Sequence, residues 1–473
     1  MDQYPLANRG DIAATMPLHA RMIREGTSFS RAYTVLPICT PARASMLTGL
    51  YPHMHGITGN DGRFGGRPGL TRDDWVVSLP FQNAGYETAW FGKWHLDNAS
   101  GAEAFGFQGF SLPGYGYPYG SAEYRDYLDR HHLPRPIATV EIPGESGLAV
   151  GSRLDLAQLD DWPDFEAGAM SLEGPAELHE AFFVADLACD WIERQTERPM
   201  FLRIDTWGPH PPYCVAPPFT GSLDGQPDRR PQNFWSDLSH RPAHHRSYRD
   251  EWQNLGLDDA GWRLLHQRSL EQTALVEAAL CRVLDTLDRL QIRERTLVIV
   301  TADHGDAVGS NGGTANKGGL LTEETVRIPL LMSGPGIAPR GVSEDLVTNL
   351  DLAPTALGMA GLKRPGGLQG ARMFSDPVDP GLIDRKGVLL QHYGLHDPLF
   401  QRAWISGDWK LVIQEDGFAE LYDLKEDPHE LNNLAGCSKH LSQMAAMVDG
   451  MAAEMSRLND VGERQQRMLH NVR

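Results

Sequence analysis

Residues 296–306 read TLVIVTADHGD. A run of apolar, mostly β-branched residues ends abruptly in acidic and imidazole side chains. The run is too short for an ordinary helix and lacks polar alternation, so it predicts a strand covered on both faces, as in a parallel sheet. The same texture recurs in YETAWFG (86–92), MFLRIDTW (200–207) and IPLLMSGPG (328–336). Amphipathic helical patterns lie between these runs: 18–26, 177–195, 269–290 and 351–361. Buried strands alternating with such helices predict an α/β fold, a large mixed but mostly parallel sheet flanked by helices. Such sheets place reacting groups at the carboxyl ends of their strands. FGKWH, TWGPH and TADHGD each follow an apolar run directly.

At 473 residues the chain exceeds one hydrophobic core. Its formal net charge is −19, with 62 acidic and 43 basic residues. A field of that sign excludes nucleic acid and anionic membranes as partners, and any anion site must be a local basic pocket. No apolar run is long enough to span a bilayer, and no secretory signal is recognisable. The expectation from these features is a cytoplasmic protein, or a periplasmic or secreted one if a signal precedes the true start. The five cysteines (39, 189, 214, 281 and 437) are scattered and lack CxxC spacing, against a disulfide framework or zinc ribbon.

Residues 100–175 are rich in Gly, Tyr, Pro and Asp, with SLPGYGYPYG at 111–120, and read as an insertion or lid. From about 385 onward GVLLQHYG, RAWISGDWKLVIQ and AELYDLKEDPHE predict antiparallel strands, with a helix at about 439–458. The expected division is a catalytic α/β part over 1–384 and a small C-terminal α+β part, with a short antiparallel sheet, over 385–473.

Five clusters carry chemistry. In CTPARASMLTG (39–49), Pro41 suits the first turn of a helix ending near Gly49. Cys39 then lies at a helix N-terminus, where the dipole favours a thiolate, and Arg43 is one turn on. Position alone fits a structural cysteine equally well. Lys93 and His95 share one face beyond a strand, a cation beside a proton acceptor; alone, they read more readily as an exposed strand end. His210 sits among prolines on a stiff loop, where a plain surface histidine is the ordinary reading. Asp303 and His304 offer oxygen and nitrogen to a divalent ion, although an Asp-rich turn would look similar. Lys317 follows in NKGGLLTEETVRIP.

CTPARASMLTGLYPHMHGI resembles the sulfatase signature, C-x-P-x-R followed by A-S-x-x-T-G. GKWHL at 92–96, the P-H-x-P loop at 209–212, the TADHGD block and LYDLKEDPHELNNLA at 421–435 are similar to further blocks of that family, so the resemblance covers nearly the whole chain. It implies the type I sulfatase fold of the alkaline-phosphatase-like superfamily. It also implies oxidation of Cys39 to formylglycine by a formylglycine-generating enzyme. The hydrated aldehyde of that residue carries one hydroxyl that attacks sulfur and a second that lets the sulfate be expelled by elimination. Arg43, Lys93 and Lys317 would face the sulfate, His95 would act as base in the elimination, and His210 would stand beside the leaving oxygen. Asp303 and His304 would hold a divalent metal, calcium by expectation, with magnesium or manganese as alternatives. The family opens with an apolar strand running into two further metal ligands. Here the opening MDQ falls on that position, so Asp2 and Gln3 are the expected ligands, and most of the first strand is expected before Met1. Glu324 and Arg327 read as structural.

The expected activity is hydrolysis of a sulfate ester of a carbohydrate or of an aryl or alkyl alcohol. A phosphonate or phosphate ester hydrolase of the same superfamily is the alternative, although such enzymes tend to lack the G-K-W-H block. A non-catalytic protein on the same scaffold is the third. Asn60, Asp61 and Arg63 in GITGNDGRFGG, the 100–175 insertion and HRPAHHRSY (240–248) are expected around the pocket. A homo-oligomer is compatible with the sequence.

Overall fold

The computed structural model describes residues 16–144, 148–159, 168–195, 198–374, 385–395 and 397–472. In chain order, α1 (Pro17–Glu25) and β1 (Thr27–Tyr33) precede α2 (Cys39–Thr48). Next come α3 (Ser78–Asn83), β2 (Glu87–Gly92), β3 (Gln108–Phe110), α4 (Ala122–Arg130), β4 (Ile137–Ile142), β5 (Arg153–Asp155) and β6 (Ala169–Glu173). Then α5 (Glu180–Arg194), β7 (Met200–Asp205), β8 (Tyr213–Val215), α6 (Ala243–Gln253), α7 (Asp259–Arg289) and β9 (Val298–Thr301) follow. β10 (Leu330–Ser333), β11 (Gly341–Thr348) and α8 (Leu352–Met359) complete the main body. β12 (Val388–Gly394), β13 (Pro398–Ser406), β14 (Trp409–Gln414), β15 (Ala419–Asp423), α9 (Leu441–Arg457) and α10 (Glu463–Val472) form the C-terminal part.

The fold is mixed α/β, with several sheets flanked by helices. β2, β3 and β7 form a parallel sheet, and α5 and α7 pack on it through Phe182, Phe183, Leu275 and Leu284. A second sheet has the order β11-β1-β10-β9, in which β1 and β11 are parallel and β10 is reversed. β7 and β9 share no ladder among the described residues. They line a cavity of about 750 Å³ together with Met46, Leu47, Val276, Leu280, Ala353 and Ala356. Among the described residues the strands thus fall into several sheets, and β7 and β9 are half-buried on either side of this cavity.

The 100–175 region is less loop-like than its composition suggests. β4, β5 and β6 pair antiparallel, and β8 joins β6 in parallel. Helix α7 starts ten residues before the amphipathic run at 269. Asp258 caps it by accepting from the Gly261 N–H at 2.8 Å, and Trp262 and Leu265 extend its buried face. The C-terminal strands form the expected antiparallel meander, with α9 laid across it. This sheet shares a core with the main body, where Leu389, Trp404 and Leu411 meet Val35, Tyr51 and Leu350. The closing helix α10 is an addition that the sequence reading missed.

The parallel alignment of β2 with β7 brings their exits to one edge, and Gly92 pairs there with Asp205. A side chain at Gly92 would place its first carbon 2.0 Å from the Asp205 carbonyl oxygen. That oxygen accepts the Lys93 N–H at 2.7 Å, so only glycine lets the two strand ends approach. Among the described residues, no helix is long and apolar enough to cross a membrane.

Candidate active site

Helix α2 begins at Cys39 and is closed by Gly49 in the left-handed region (φ 65°), whose N–H donates to the Ser45 carbonyl at 2.9 Å. All ten of its residues are buried. The thiol therefore sits at the first turn of a rigid helix whose free N–H groups point toward the strand ends. The Thr40 N–H is taken by Asn60 Oδ1 at 3.0 Å.

Around Cys39 Sγ the chain gathers His304 Nε2 at 3.1 Å and Lys93 Nζ at 3.8 Å. Burial alone would push the thiol up. The charges of Lys317 and Lys93, the largest causes after burial, together with His304, outweigh it and hold the thiol well below its usual range. The local basic pocket required by the acidic chain is present here. Burial pushes the Lys93 ammonium down to about 8, with Cys39 opposing.

His304 donates from Nδ1–H to the Gly305 carbonyl at 2.7 Å, and its Nε2 faces residue 39. Burial would raise the Asp303 carboxyl, but His304 and Arg43 hold it far below the usual carboxylate range. Donor atoms of Cys39, Asp303 and His304 lie within 4.8 Å of one another. A carboxylate, an imidazole and residue 39 converging in this way fit part of the coordination shell of a divalent ion. Asp306 turns away, accepting from Tyr213 Oη at 3.4 Å and the Val308 N–H at 3.0 Å.

His210 donates from Nδ1–H to its neighbour's carbonyl, Pro211 O, at 2.6 Å. Its Nε2 accepts from Lys317 Nζ at 2.9 Å, and Lys317 also donates to Asn316 Oδ1 at 2.7 Å. Burial, then Lys317, push His210 down to about 4, so it is neutral at neutral pH. His95 is held neutral by burial, although Cys39 opposes this.

Arg43 is not a free charge. Its Nε donates to Asp303 at 2.8 Å, and its Nη1 donates to Asp205 and to the Lys93 carbonyl, both at 2.9 Å. It ties the ends of β2, β7 and β9 together beneath the site. The structure thus brings Cys39, Arg43, Lys93, His95, His210, Asp303, His304 and Lys317 to one place. Asn60 touches the helix turn beside Cys39. Asp61 and Arg63 stand further out, bonded to Asn98 Nδ2 (2.9 Å) and the Leu395 carbonyl (3.2 Å). Asp2 and Gln3 lie outside the described residues. Glu324 accepts from Asn233 Nδ2 at 2.7 Å and Arg327 donates to the Ser30 carbonyl at 2.7 Å, both structural contacts.

Two contributors were missed in the sequence. Asp205 ends an apolar run just as Asp303 does, and that parallel was the available signal. Glu180 had none. It is buried at the start of α5, and its Oε1 accepts from the Gly208 N–H at 2.8 Å, anchoring the loop that carries His210. Burial raises Glu180 to about 7, opposed by the Gly208 and Trp207 N–H groups and Lys93, with His179 Nδ1 3.7 Å away. A carboxyl raised in the folded state stabilises below its ordinary range, and that stabilisation is lost as pH rises through about 7. The loss is on the order of 3 kcal/mol. Glu180→Gln is expected to remove this component, so the fall in Tm between pH 5 and pH 8 should be smaller than in the wild type. Parallel melting curves at the two pH values check this; equal falls would contradict it.

A family model described as Sulfatase matches residues 6–362, and one described as N-sulphoglucosamine sulphohydrolase, C-terminal, matches residues 317–459. The uncharacterized sulfatase YidJ of Escherichia coli K12 is 26% identical over 440 residues, 92% of this chain and 81% of that relative. The solved structure of BT4656 with its substrate D-glucosamine-2-N,6-O-disulfate superposes with a TM-score of 0.71 at 20% identity, covering 95% of this chain and 94% of that one. A phosphonate monoester hydrolase from Silicibacter pomeroyi superposes with a TM-score of 0.70 at 20% identity, covering 97% and 93%. With the Sulfatase model spanning most of its length over the strands and helix that carry the site, this chain belongs to the sulfatase family of the alkaline-phosphatase-like superfamily, the sulfuric ester hydrolases.

Proposed function

We propose that this chain cleaves a sulfate ester with a formylglycine formed from Cys39 and with a divalent metal, calcium by preference. The observation that carries the reading is the placement of Cys39 Sγ at a helix N-terminus, 3.1 Å from His304 and 3.8 Å from Lys93. A plain structural cysteine has no need of that setting. Formylglycine supplies paired hydroxyls, one to attack sulfur and one to permit elimination, and the metal supplies charge that orients them. Asp303 and His304 would hold the metal beside residue 39. We assign its remaining ligands to Asp2 and Gln3.

The chain's own groups do the rest. Lys93 and Lys317 place positive charge where sulfuryl oxygens gain negative charge. His95 stands neutral and able to take a proton. The Lys317–His210 pair holds the proton that the departing alkoxide needs, and Arg43 fixes the strand ends so that these distances persist. Asn60, which meets the helix turn beside Cys39, and Asp61 and Arg63 further out are assigned to the alcohol portion.

The test is mass spectrometry of the tryptic peptide Ala32–Arg43 from protein made with a formylglycine-generating enzyme. Aldehyde in place of thiol at Cys39 is expected, with turnover of an aryl sulfate faster than of an aryl phosphonate monoester. An intact thiol would overturn the nucleophile, and faster phosphonate turnover would move the activity to the alternative class. Dialysis against a chelator is expected to abolish activity, and calcium to restore it.

A further inference from the structure

The segment Pro113–Gly116 lies in the Tyr- and Gly-rich stretch to which no role has so far been given. It is fastened to the site at two points. The His95 N–H donates to the Gly114 carbonyl at 2.9 Å, and Trp207 Nε1 donates to the Tyr115 carbonyl at 2.9 Å. The loop thus bridges the exits of β2 and β7. Gly114 adopts φ 64°, and its N–H donates back to the Asp97 carbonyl at 2.8 Å.

This fastening sets the Tyr115 ring between two catalytic histidines. Its centroid is 5.3 Å from His95 and 5.6 Å from His210, edge-on to both. Lys93 Nζ lies 4.1 Å from the ring centre on its face, so the same ammonium is shared between this ring and Cys39 Sγ. The Tyr115 hydroxyl is enclosed and has no hydrogen-bond partner among the described residues. An enclosed hydroxyl without a partner is costly, whereas one that meets an anionic oxygen recovers that cost and more. His95, His210 and Lys93, the three polar groups against the ring, are all residues of the site described above.

We propose that Tyr115 is a substrate-contacting residue whose hydroxyl donates a hydrogen bond to a sulfuryl oxygen, while its ring holds the Lys93 ammonium against the same group. The proposal rests on the sulfate-ester reading of the site. Burial keeps the phenol protonated and therefore a donor. Because the contact is with the sulfuryl group and not the alcohol, its loss affects esters of different alcohols alike.

Tyr115→Phe keeps the ring and removes only the donor. It is expected to lower kcat/KM about 10- to 100-fold. The loss should be equal for an aryl and an alkyl sulfate, with Tm unchanged and inhibition by inorganic sulfate weakened by a similar factor. Tyr117→Phe in the same loop serves as control and should stay within about twofold of the wild type. Wild-type rates and sulfate inhibition in Tyr115→Phe would overturn the proposal, as would a loss confined to one alcohol. Calorimetric binding of sulfate to wild type and to Tyr115→Phe reads the contact without turnover. If the wild type hydrolyses no sulfate ester, the functional reading fails, and the difference in sulfate binding still decides the role of Tyr115.

Discussion

Replacing Cys39 by alanine is expected to lower kcat/KM for an aryl sulfate by about 10⁴-fold or more, because it removes the side chain from which we propose the nucleophile is made. The fold should survive. Cys39 is small, and nine other residues of α2 keep the helix buried. Serine at this position is the informative companion. Its hydroxyl occupies the same corner beside Lys93 and His304 and can attack once, but it has no second hydroxyl through which to expel the sulfate. Cys39→Ser should therefore stop after a single turnover and gain the mass of one sulfuryl group on the peptide 32–43. Sustained turnover by either variant would show that another group attacks. Melting curves separate loss of chemistry from loss of fold.

The second large effect falls on stability. Arg43 contacts both Asp205 and Asp303, at 2.9 and 2.8 Å, and its side chain is 7% exposed. Arg43→Ala would take the guanidinium from the buried Asp303 and leave Asp205 with Arg203 alone, at 3.0 Å. Breaking a buried ion pair from one side costs about 3–5 kcal/mol. Denaturant midpoints of chelator-treated wild type and Arg43→Ala check this, and equal midpoints would contradict it. Arg43→Lys should recover only part of the loss. A point charge cannot reproduce a fork that meets Asp303 through Nε and Asp205 through Nη1. Activity should fall in both variants, because the ends of β2, β7 and β9 would lose their common tie.

Much of the site was legible because its members sit at positions with local signals. Lys93, His210 and Asp303 each follow an apolar run, and a strand end is a place a sequence can mark. The opening helix was equally readable, since Pro41 and Gly49 bracket it and each has a local conformational reason to do so. Tyr115, Glu180 and Asp205 were not singled out. Tyr115 is one of several aromatics in a Gly-rich stretch, and nothing local distinguishes it from Tyr117 or Tyr119. Glu180 resembles any acidic residue in the first turn of a helix. Their roles arise from contacts with residues 20 or more positions away.

The sequence by itself determined the class of fold, the nucleophile candidate and most of the groups expected around it. Periodicity and strand-end chemistry are properties of short segments, and the C-x-P-x-R run is contiguous. Only the tertiary structure decided how those groups are used. Arg43 became a tie between two carboxylates instead of a free charge, because β7 and β9 end on either side of it. His210 became an acceptor, because Lys317 arrives from 107 positions along the chain. Among the described residues, a cavity lies between β7 and β9. Strand order and long-range charge pairing depend on which segments meet in space, and no segment carries that information alone.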